Sequence, residues 1–162
     1  MAGIVSLGHI ALRAKDVQRT VDFYQSQLGF NEVMRLNYED GSLWLVYLRV
    51  TDTQFLEVFP GGVGDKASAR EAVGVNHFCL TVDDIDGVVA DLVRRGVTIQ
   101  RPLKMGPDGN RQAWIEDPDG VRIELMEMAK DAVQFQAVRR LHQGQTPIAV
   151  ATDRKPELAL VR

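Results

Sequence analysis

Two histidines and two glutamates recur at matching places in this 162-residue sequence. His9 and His77 each begin a short, mostly apolar segment, and they are 68 residues apart. Glu57 and Glu124 each interrupt an apolar segment, and they are 67 residues apart. A carboxylate on a half-buried surface is costly unless it is paired or binds a metal. The repetition of both residue types therefore predicts one divalent ion that all four side chains bind.

The donor set indicates which ions would fit. Each of the four residues, taken alone, is better explained by packing or by a solvated strand edge, and only their repetition favours a metal. Two imidazoles and two carboxylates without a thiolate are typical of nickel, cobalt, manganese, iron or zinc. Structural zinc sites close with four ligands and often use cysteine. Four protein ligands on an octahedral ion leave two positions for water or substrate, so we expect a catalytic site.

The segments around these residues predict two copies of the order strand, helix and three strands. Asp16 is a candidate N-cap for the first helix, and Gly29 is a candidate end. The second helix is predicted over 85–95. The strands are predicted over 7–13, 32–38, 43–50 and 54–59 in the first copy, and over 76–82, 97–103, 111–116 and 121–127 in the second.

Alternation along a strand decides which side chains share a face. His9 and Arg13 lie on the face opposite Ile10 and Leu12, and the apolar face packs on the helix that follows. We therefore expect the polar set on the helix-free faces of an α+β fold. The predicted organisation is one domain over 1–142, with module 1 over about 4–60, a linker over 61–74, module 2 over about 75–128 and a helix over about 129–141, followed by a C-terminal tail over 143–162.

Composition excludes several classes of function. Apolar residues make up 45% and charged residues 25%, which argues against disorder. The net charge of −3, with acids and bases interleaved, provides neither a nucleic-acid footprint nor a polybasic membrane patch. No apolar run approaches the roughly 18 residues of a membrane span. The single cysteine, Cys79, and a beginning unlike a signal peptide predict a cytoplasmic location.

The sequence resembles the vicinal oxygen chelate superfamily, also called the glyoxalase–bleomycin resistance–dioxygenase family, and within it the glyoxalase I (lactoylglutathione lyase) type. The resemblance covers about residues 4–128, and its most specific parts are the segments at 9–13, 21–30 and 115–125. It implies two tandem βαβββ modules that form a cupped mixed β-sheet around one divalent metal, with helices on the outside. It also implies a homodimer.

The resemblance assigns roles to individual residues. The metal ligands of the glyoxalase I type correspond to His9, Glu57, His77 and Glu124. Arg13 corresponds to an arginine that holds a carboxylate of glutathione, although a solvated strand-end arginine is an equal alternative. Lys104 and Arg111 flank a loop that binds the acidic end of the substrate in the family, and a solvated loop is again an equal alternative. Gly61 departs from the family, which places a glutathione-contacting asparagine there.

The activity implied by the resemblance is the conversion of a hemithioacetal, formed by a 2-oxoaldehyde and glutathione, to S-lactoylglutathione through a metal-bound enediolate. This is methylglyoxal detoxification, with glutathione as co-substrate. Glu124 is the predicted base and Glu57 its partner. The alternatives are another metal-dependent member of the superfamily, an epimerase or an extradiol-type dioxygenase, or a non-catalytic resistance-type protein that binds small molecules. Ligands from one chain or from two exchanged halves of a dimer both remain open.

Overall fold

The structure, a computed structural model, describes residues 3–146 of the chain. The expected tail over 143–162 therefore lies mostly outside the described residues. Module 1 contains β1 (His9–Arg13), α1 (Val17–Leu28), β2 (Glu32–Asn37), β3 (Leu43–Arg49) and β4 (Phe55–Phe59). Module 2 contains β5 (Phe78–Thr81), α2 (Ile85–Arg94), β6 (Arg101–Met105), β7 (Arg111–Glu116) and β8 (Arg122–Glu127), and α3 (Val133–His142) follows it. The predicted α+β fold with two tandem βαβββ modules is confirmed.

Each module forms its own four-stranded mixed sheet. The strand orders are β1-β4-β3-β2 and β5-β8-β7-β6, so the two sheets repeat one topology. The first strand of each module runs parallel to the last strand, and the other pairs are antiparallel. The strands that carry the expected ligands are thus direct neighbours in both sheets. Within the described residues, the chain forms two separate sheets in place of one continuous cupped sheet.

The first helix begins and ends where the sequence predicts. The Asp16 carboxylate accepts a 3.1 Å hydrogen bond from the backbone N–H of Arg19, which satisfies one free donor of the first turn. Gly29 ends the helix with φ of 73°, a left-handed conformation that glycine adopts without strain. Val21 and Tyr24 are fully buried in the core, so this helix covers one face of the first sheet.

Both modules contribute to one hydrophobic core. Val21 and Tyr24 of α1 and Ile85 and Leu92 of α2 belong to the same buried cluster. The sheets supply the remaining large members, which include Val46, Leu48, Leu56, Val58, Ile115, Ile123 and Leu125. Because the helix-bearing faces of both sheets share this core, their helix-free faces point away from it.

Polar contacts also join the modules on the helix side. The Thr20 hydroxyl on α1 donates a 3.0 Å hydrogen bond to the Asp119 carboxylate in the turn between β7 and β8. Arg95, at the end of α2, donates to the backbone carbonyl of Ser26 at 2.9 Å. The turn over 117–120 therefore joins β7 to β8 and also fastens one module to the other.

Several element boundaries differ from the prediction, and three of the differences have a bearing on the site or are larger than the others. β6 begins at Arg101 in place of residue 97, because the backbone N–H of Val97 is used to close α2 on Leu92 at 2.9 Å. β5 begins at Phe78, which leaves His77 just outside the strand. The helix expected from residue 129 begins only at Val133, after a turn. No helix of the described residues has the length and apolar character needed to cross a membrane.

Candidate functional site

The first half of the candidate site lies on β1 and β4. These strands are parallel, and Glu57 is opposite Ala11, so Glu57 shares the helix-free face with His9. The His9 Nδ1 atom is 3.6 Å from Glu57 Oε1. Glu57 is only 6% exposed, whereas His9 is exposed. A carboxylate is therefore held almost out of water beside an accessible imidazole.

The second half repeats this arrangement on β5 and β8. The His77 Nε2 atom is 3.2 Å from Glu124 Oε2, and Glu124 is 9% exposed. The other ring nitrogen, Nδ1, lies 3.0 Å from the side-chain oxygen of Asn76. The Asn76 amide oxygen and the Glu124 carboxylate both accept, so a neutral ring donates to one of them, and a ring that donates to Asn76 presents the Nε2 lone pair beside Glu124. The His77 ring also packs edge-on against Trp114, with centroids 4.6 Å apart.

The four expected ligands are brought together as two pairs and not as a set of four. Over residues 3–146, no three histidine, cysteine, aspartate or glutamate side chains converge closely enough to hold a metal ion. The helix-free faces that carry the pairs point away from the shared core. One copy of the chain therefore presents two half-sites.

The spacing within each half-site fits two neighbouring ligands of one ion. Metal–nitrogen and metal–oxygen bonds of about 2.0–2.2 Å place adjacent donors roughly 3.0–3.5 Å apart. The distances in this chain are 3.6 Å between His9 and Glu57 and 3.2 Å between His77 and Glu124. The nitrogen and oxygen chemistry of both pairs also suits a divalent ion of the first transition series. The residues present therefore fit half of a metal site on each sheet.

Tyr47 and Asn76 are neighbours of the site that sequence reasoning missed. Tyr47 on β3 is opposite Glu57 in register, and the facing Glu57 carboxylate raises the pKa of the Tyr47 hydroxyl above its ordinary value. Strand alternation on β3 could have placed Tyr47 on this face once the pairing with β4 was known. Asn76 directly precedes His77, but nothing in its residue type indicated a contact with the ring.

Cys79 lies on the ligand face of the second sheet, opposite Glu124. Although Cys79 is an exposed residue, partial desolvation of its thiol and, secondarily, the adjacent Glu124 carboxylate raise the thiol pKa to about 12. The group is therefore a neutral thiol at physiological pH. It supplies neither a thiolate ligand nor a nucleophile there.

Two of the three residues expected to bind substrate lie on the ligand faces. Arg13 shares a face with His9, donates a 3.0 Å hydrogen bond to the Pro60 carbonyl and stacks over Phe59 at 5.8 Å. Lys104 is opposite Gln112 in register, which places it on the same face of the second sheet as Glu124. Both side chains are exposed.

Arg111, the third, lies on the other face. It alternates with Gln112 and is in line with the core residues Ala113 and Ile115, on the helix-bearing side of β7. Its guanidinium pairs with Asp86 at 2.8 Å and with Glu127 at 3.7 Å. The structure therefore separates Arg111 from the other expected site residues.

The comparisons with known proteins agree with this geometry. A family model described as the Glyoxalase/Bleomycin resistance protein/Dioxygenase superfamily matches residues 6–125. The chain belongs to this superfamily. The match begins just before His9 and extends past Glu124, so the superfamily segment includes both half-sites.

Relatives of this superfamily member have more than one activity in their names. A lactoylglutathione lyase of Neisseria meningitidis serogroup A is 29% identical over 136 residues, which are 79% of this chain and 96% of the relative. A mitochondrial methylmalonyl-CoA epimerase of Dictyostelium discoideum is 28% identical over 134 residues, which are 77% of this chain and 80% of the relative. The crystal structure of a glyoxalase family protein from Enterococcus faecalis, 29% identical, superposes with a TM-score of 0.66 and covers 75% of this chain and 97% of its own.

Proposed function

We propose that the protein is a metal-dependent lyase of the glyoxalase I type, which converts a hemithioacetal of a 2-oxoaldehyde and glutathione to the S-2-hydroxyacyl thioester, S-lactoylglutathione. The observation that carries the proposal is the duplicated pair of a histidine beside a buried glutamate, His9 with Glu57 and His77 with Glu124. A resistance-type binding protein has no need for two buried carboxylates that each face an imidazole.

A divalent ion would be held by His9 and Glu57 of one copy and by His77 and Glu124 of a second copy. The helix-free faces of one chain point away from their common core, which supports a homodimer that completes two such sites. When bound, the ion supplies Lewis-acid stabilisation of the negative charge that develops on a carbonyl oxygen. Nickel, cobalt, zinc, manganese and iron all suit the donor set.

Glu124 is the residue that we assign to proton transfer. It would take the proton from the carbon next to the carbonyl and return it to the neighbouring carbon. Tyr47 is opposite Glu57 in register, so a phenol faces the carboxylate that we assign to holding the metal. The residue opposite Glu124 in register is Trp114, which has no hydroxyl. We therefore assign the base to Glu124 and make Glu57 its partner.

Substrate positioning would use the exposed cations on the ligand faces. Arg13 is fixed by its bond to the Pro60 carbonyl and by its contact with Phe59, so its charge is oriented toward the half-site of module 1. Lys104 supplies a second positive charge on the face that carries Glu124. A substrate with carboxylates at both ends matches these two cations. A cytoplasmic location, where glutathione is abundant, is part of the same proposal.

A second candidate is an epimerase that acts on a carbon next to a thioester carbonyl. Two observations favour it: Gly61 takes the place of a glutathione-contacting residue, and one relative is named a methylmalonyl-CoA epimerase. The first step would be the same, since both reactions remove a proton beside a carbonyl. The second step differs, because an epimerase returns a proton to the same carbon from the opposite face, whereas the lyase protonates the neighbouring carbon.

The test is an isomerisation assay with the hemithioacetal of methylglyoxal and glutathione, on protein reloaded in turn with nickel, cobalt, zinc or manganese. We expect activity with at least one ion, loss of activity in Glu124→Gln and full activity in Glu39→Gln, which removes an exposed carboxylate in the turn after β2. Absence of activity with every ion would refute the lyase. Deuterium exchange into methylmalonyl-CoA by the same protein would then establish the epimerase.

A further inference from the structure

A small cavity of about 270 Å³ lies beside the second half-site, and we call it the arginine cavity. Its walls come from the linker, from β6 and β7 and from the start of β8. The side chains that matter are Arg70, Asn76, Arg101, Trp114, Glu116 and Arg122. None of these residues has a role in the proton transfer proposed above.

Two of the wall residues also touch His77. The Asn76 side-chain oxygen lies 3.0 Å from His77 Nδ1, and the Trp114 ring centroid lies 4.6 Å from that of His77. Arg101 also stacks on Trp114, with its guanidinium carbon 5.6 Å from the centroid of the Trp114 ring. Trp114 is opposite Glu124 in register, so the cavity opens on the ligand face of the sheet. A molecule bound beside His77 can therefore extend into it.

The arginine cavity has more positive charge than the single carboxylate in its wall can neutralise. Among the residues that the structure describes, Arg70, Arg101 and Arg122 form no ion pair. Five other arginines in the described chain do form ion pairs, among them Arg35 with Glu32. Glu116, across from Arg122, offsets one of the three charges, so the wall has a net charge of two positive units.

One of the cationic groups, the Arg122 guanidinium, is held in position by backbone contacts. Arg122 donates to the Asn76 carbonyl at 2.9 Å and to the Ser68 carbonyl at 3.2 Å. The Asn76 amide in turn donates to the Arg70 carbonyl at 2.5 Å. These bonds fold the linker over the end of the second sheet and leave further guanidinium N–H groups free. A preformed site binds a ligand with less loss of conformational entropy than mobile side chains do.

We infer that the arginine cavity binds an oxyanion, a carboxylate or a phosphate group, and that this group is the far end of the substrate. Guanidinium groups match the geometry of both oxyanions with pairs of N–H donors. The cavity would thus select substrates in which the reacting carbon and an anionic group are separated by the width of the His77 and Trp114 rings. Its use by the substrate rests on the proposed function, whereas the binding of an oxyanion does not.

Trp114 provides a direct readout of binding. The chain contains two tryptophans, so the Trp44→Phe variant leaves Trp114 as the single indole fluorophore. The protein is freed of metal with a chelator and titrated with inorganic phosphate and, separately, with acetate, each against sodium chloride at equal ionic strength. We expect a saturable change in emission with at least one oxyanion. The anion that binds more tightly, phosphate or acetate, identifies the group that the cavity prefers.

Variants separate specific binding from general charge. Arg70→Gln and Arg101→Gln should each weaken binding about tenfold, because each loses a charge-assisted hydrogen bond. Arg70 does not touch Trp114 in the described contacts, so its variant leaves the fluorophore undisturbed. Arg19→Gln, an equal change of charge on the exposed side of α1, should bind like the parent. Emission that follows only ionic strength, or equal binding by all three variants, would overturn the inference.

Turnover gives a second, independent readout. If the proposed lyase is active, Arg101→Gln should raise KM for the anionic adduct about tenfold at unchanged kcat, because the contact persists equally in the ground and transition states. Oxyanion binding without lyase activity would refute the proposed function and leave this inference standing. Lyase activity without saturable oxyanion binding would support the proposed function and refute this inference.

Discussion

The Tyr24 hydroxyl donates a 3.0 Å hydrogen bond to Oδ2 of the Asp117 carboxylate, and this bond connects α1 of module 1 to the last turn of module 2. Both groups are buried. The other carboxylate oxygen, Oδ1, accepts from the backbone N–H groups of Asp119 and Val121. One side chain therefore shapes the turn between β7 and β8 and fastens it to the opposite module.

Removal of the Tyr24 hydroxyl should destabilise the fold. We expect Tyr24→Phe to lower the free energy of unfolding by about 1.5–3 kcal/mol, because a buried carboxylate loses a hydrogen-bond donor that no water replaces. Urea unfolding followed by circular dichroism measures this difference. Tyr38→Phe makes the same chemical change at an exposed ring and should cost less than about 0.5 kcal/mol. Equal effects of the two variants would show that the bond between the modules contributes nothing.

The same carboxyl group predicts a dependence of stability on pH. Burial raises the pKa of Asp117 above its ordinary value, against the hydrogen bonds from Val121 and Tyr24, which lower it. A carboxyl group whose pKa is higher in the folded chain stabilises the fold fully below its unfolded pKa of about 3.9, and this contribution is lost as the pH rises through the folded pKa. The stability of the parent relative to Asp117→Asn should therefore fall as the pH is raised from about 3.5 toward neutrality.

Unfolding titrations of the parent and Asp117→Asn at several pH values between about 3.5 and 7 test this sign. In Asp117→Asn the side-chain amide keeps one acceptor oxygen for the backbone N–H groups of Asp119 and Val121. The hydrogen bonds that the variant loses therefore change its stability by an amount that does not depend on pH. A difference that stays flat, or rises with pH, would mean that Asp117 does not ionise above its ordinary range in the folded chain.

The sequence predicts the fold well because its repeat and its helix ends are local signals. Asp16 and Gly29 mark α1 by chemistry that depends only on adjacent backbone, and the structure confirms both. Alternation on β1 likewise places His9 and Arg13 opposite Ile10 and Leu12 without knowledge of the partner strand. The start of β6 was wrong because Val97 satisfies its N–H by closing α2, a choice that strand propensity does not register.

The site was harder to predict because it depends on which faces meet. Matching residue types identify the two pairs, but only the shared core shows that one chain directs its half-sites away from each other. Arg111 was misplaced for the same reason. Arg111 and Lys104 are close in sequence, which suggested that both flank one substrate-binding loop. Strand register instead puts the two residues on opposite faces of the second sheet. Local sequence patterns do not show which residues share a face of the folded sheets. The pairing of strands and the packing of the two sheets decide this.

A site completed by two copies predicts that inactive variants rescue each other. One variant carries His9→Ala with Glu57→Gln, and the other carries His77→Ala with Glu124→Gln. Each alone should bind no stoichiometric metal, because every site contains one ruined half. After unfolding and refolding as an equal mixture, random pairing should restore about one quarter of the parent's metal content, since half of the dimers contain one intact site out of two.

Metal analysis and the lyase assay on the mixture measure this recovery. A mixture of either double variant with itself is the matched control and should recover nothing. Recovery in neither readout, with the parent loaded to one ion per chain, would mean that each chain completes its own site by another route.

The two glutamates should differ in their effect on turnover. Glu124→Gln should lower kcat about 10²- to 10⁴-fold, the range for loss of a positioned general base, while part of the metal affinity remains through the other three ligands. Glu57→Gln should chiefly weaken metal binding, because it removes one proposed ligand and leaves the proposed base, Glu124, in place. Steady-state kinetics at saturating metal, together with metal affinities, separate the two effects. A larger loss of kcat at saturating metal in Glu57→Gln would exchange the two roles.

Strand register also predicts which cations bind substrate. Arg13→Ala and Lys104→Ala should each raise KM for the glutathione adduct about five- to tenfold with little change in kcat, because each removes a charged contact remote from the reacting carbon. Arg111→Ala removes an equal charge from the opposite face of the second sheet, where Asp86 already pairs with it, and should leave KM within about twofold. Steady-state kinetics of the three variants at saturating metal measure these differences. An unchanged KM in Arg13→Ala would remove glutathione from the proposal, and an increase in Arg111→Ala matching that of Lys104→Ala would contradict the assignment of faces.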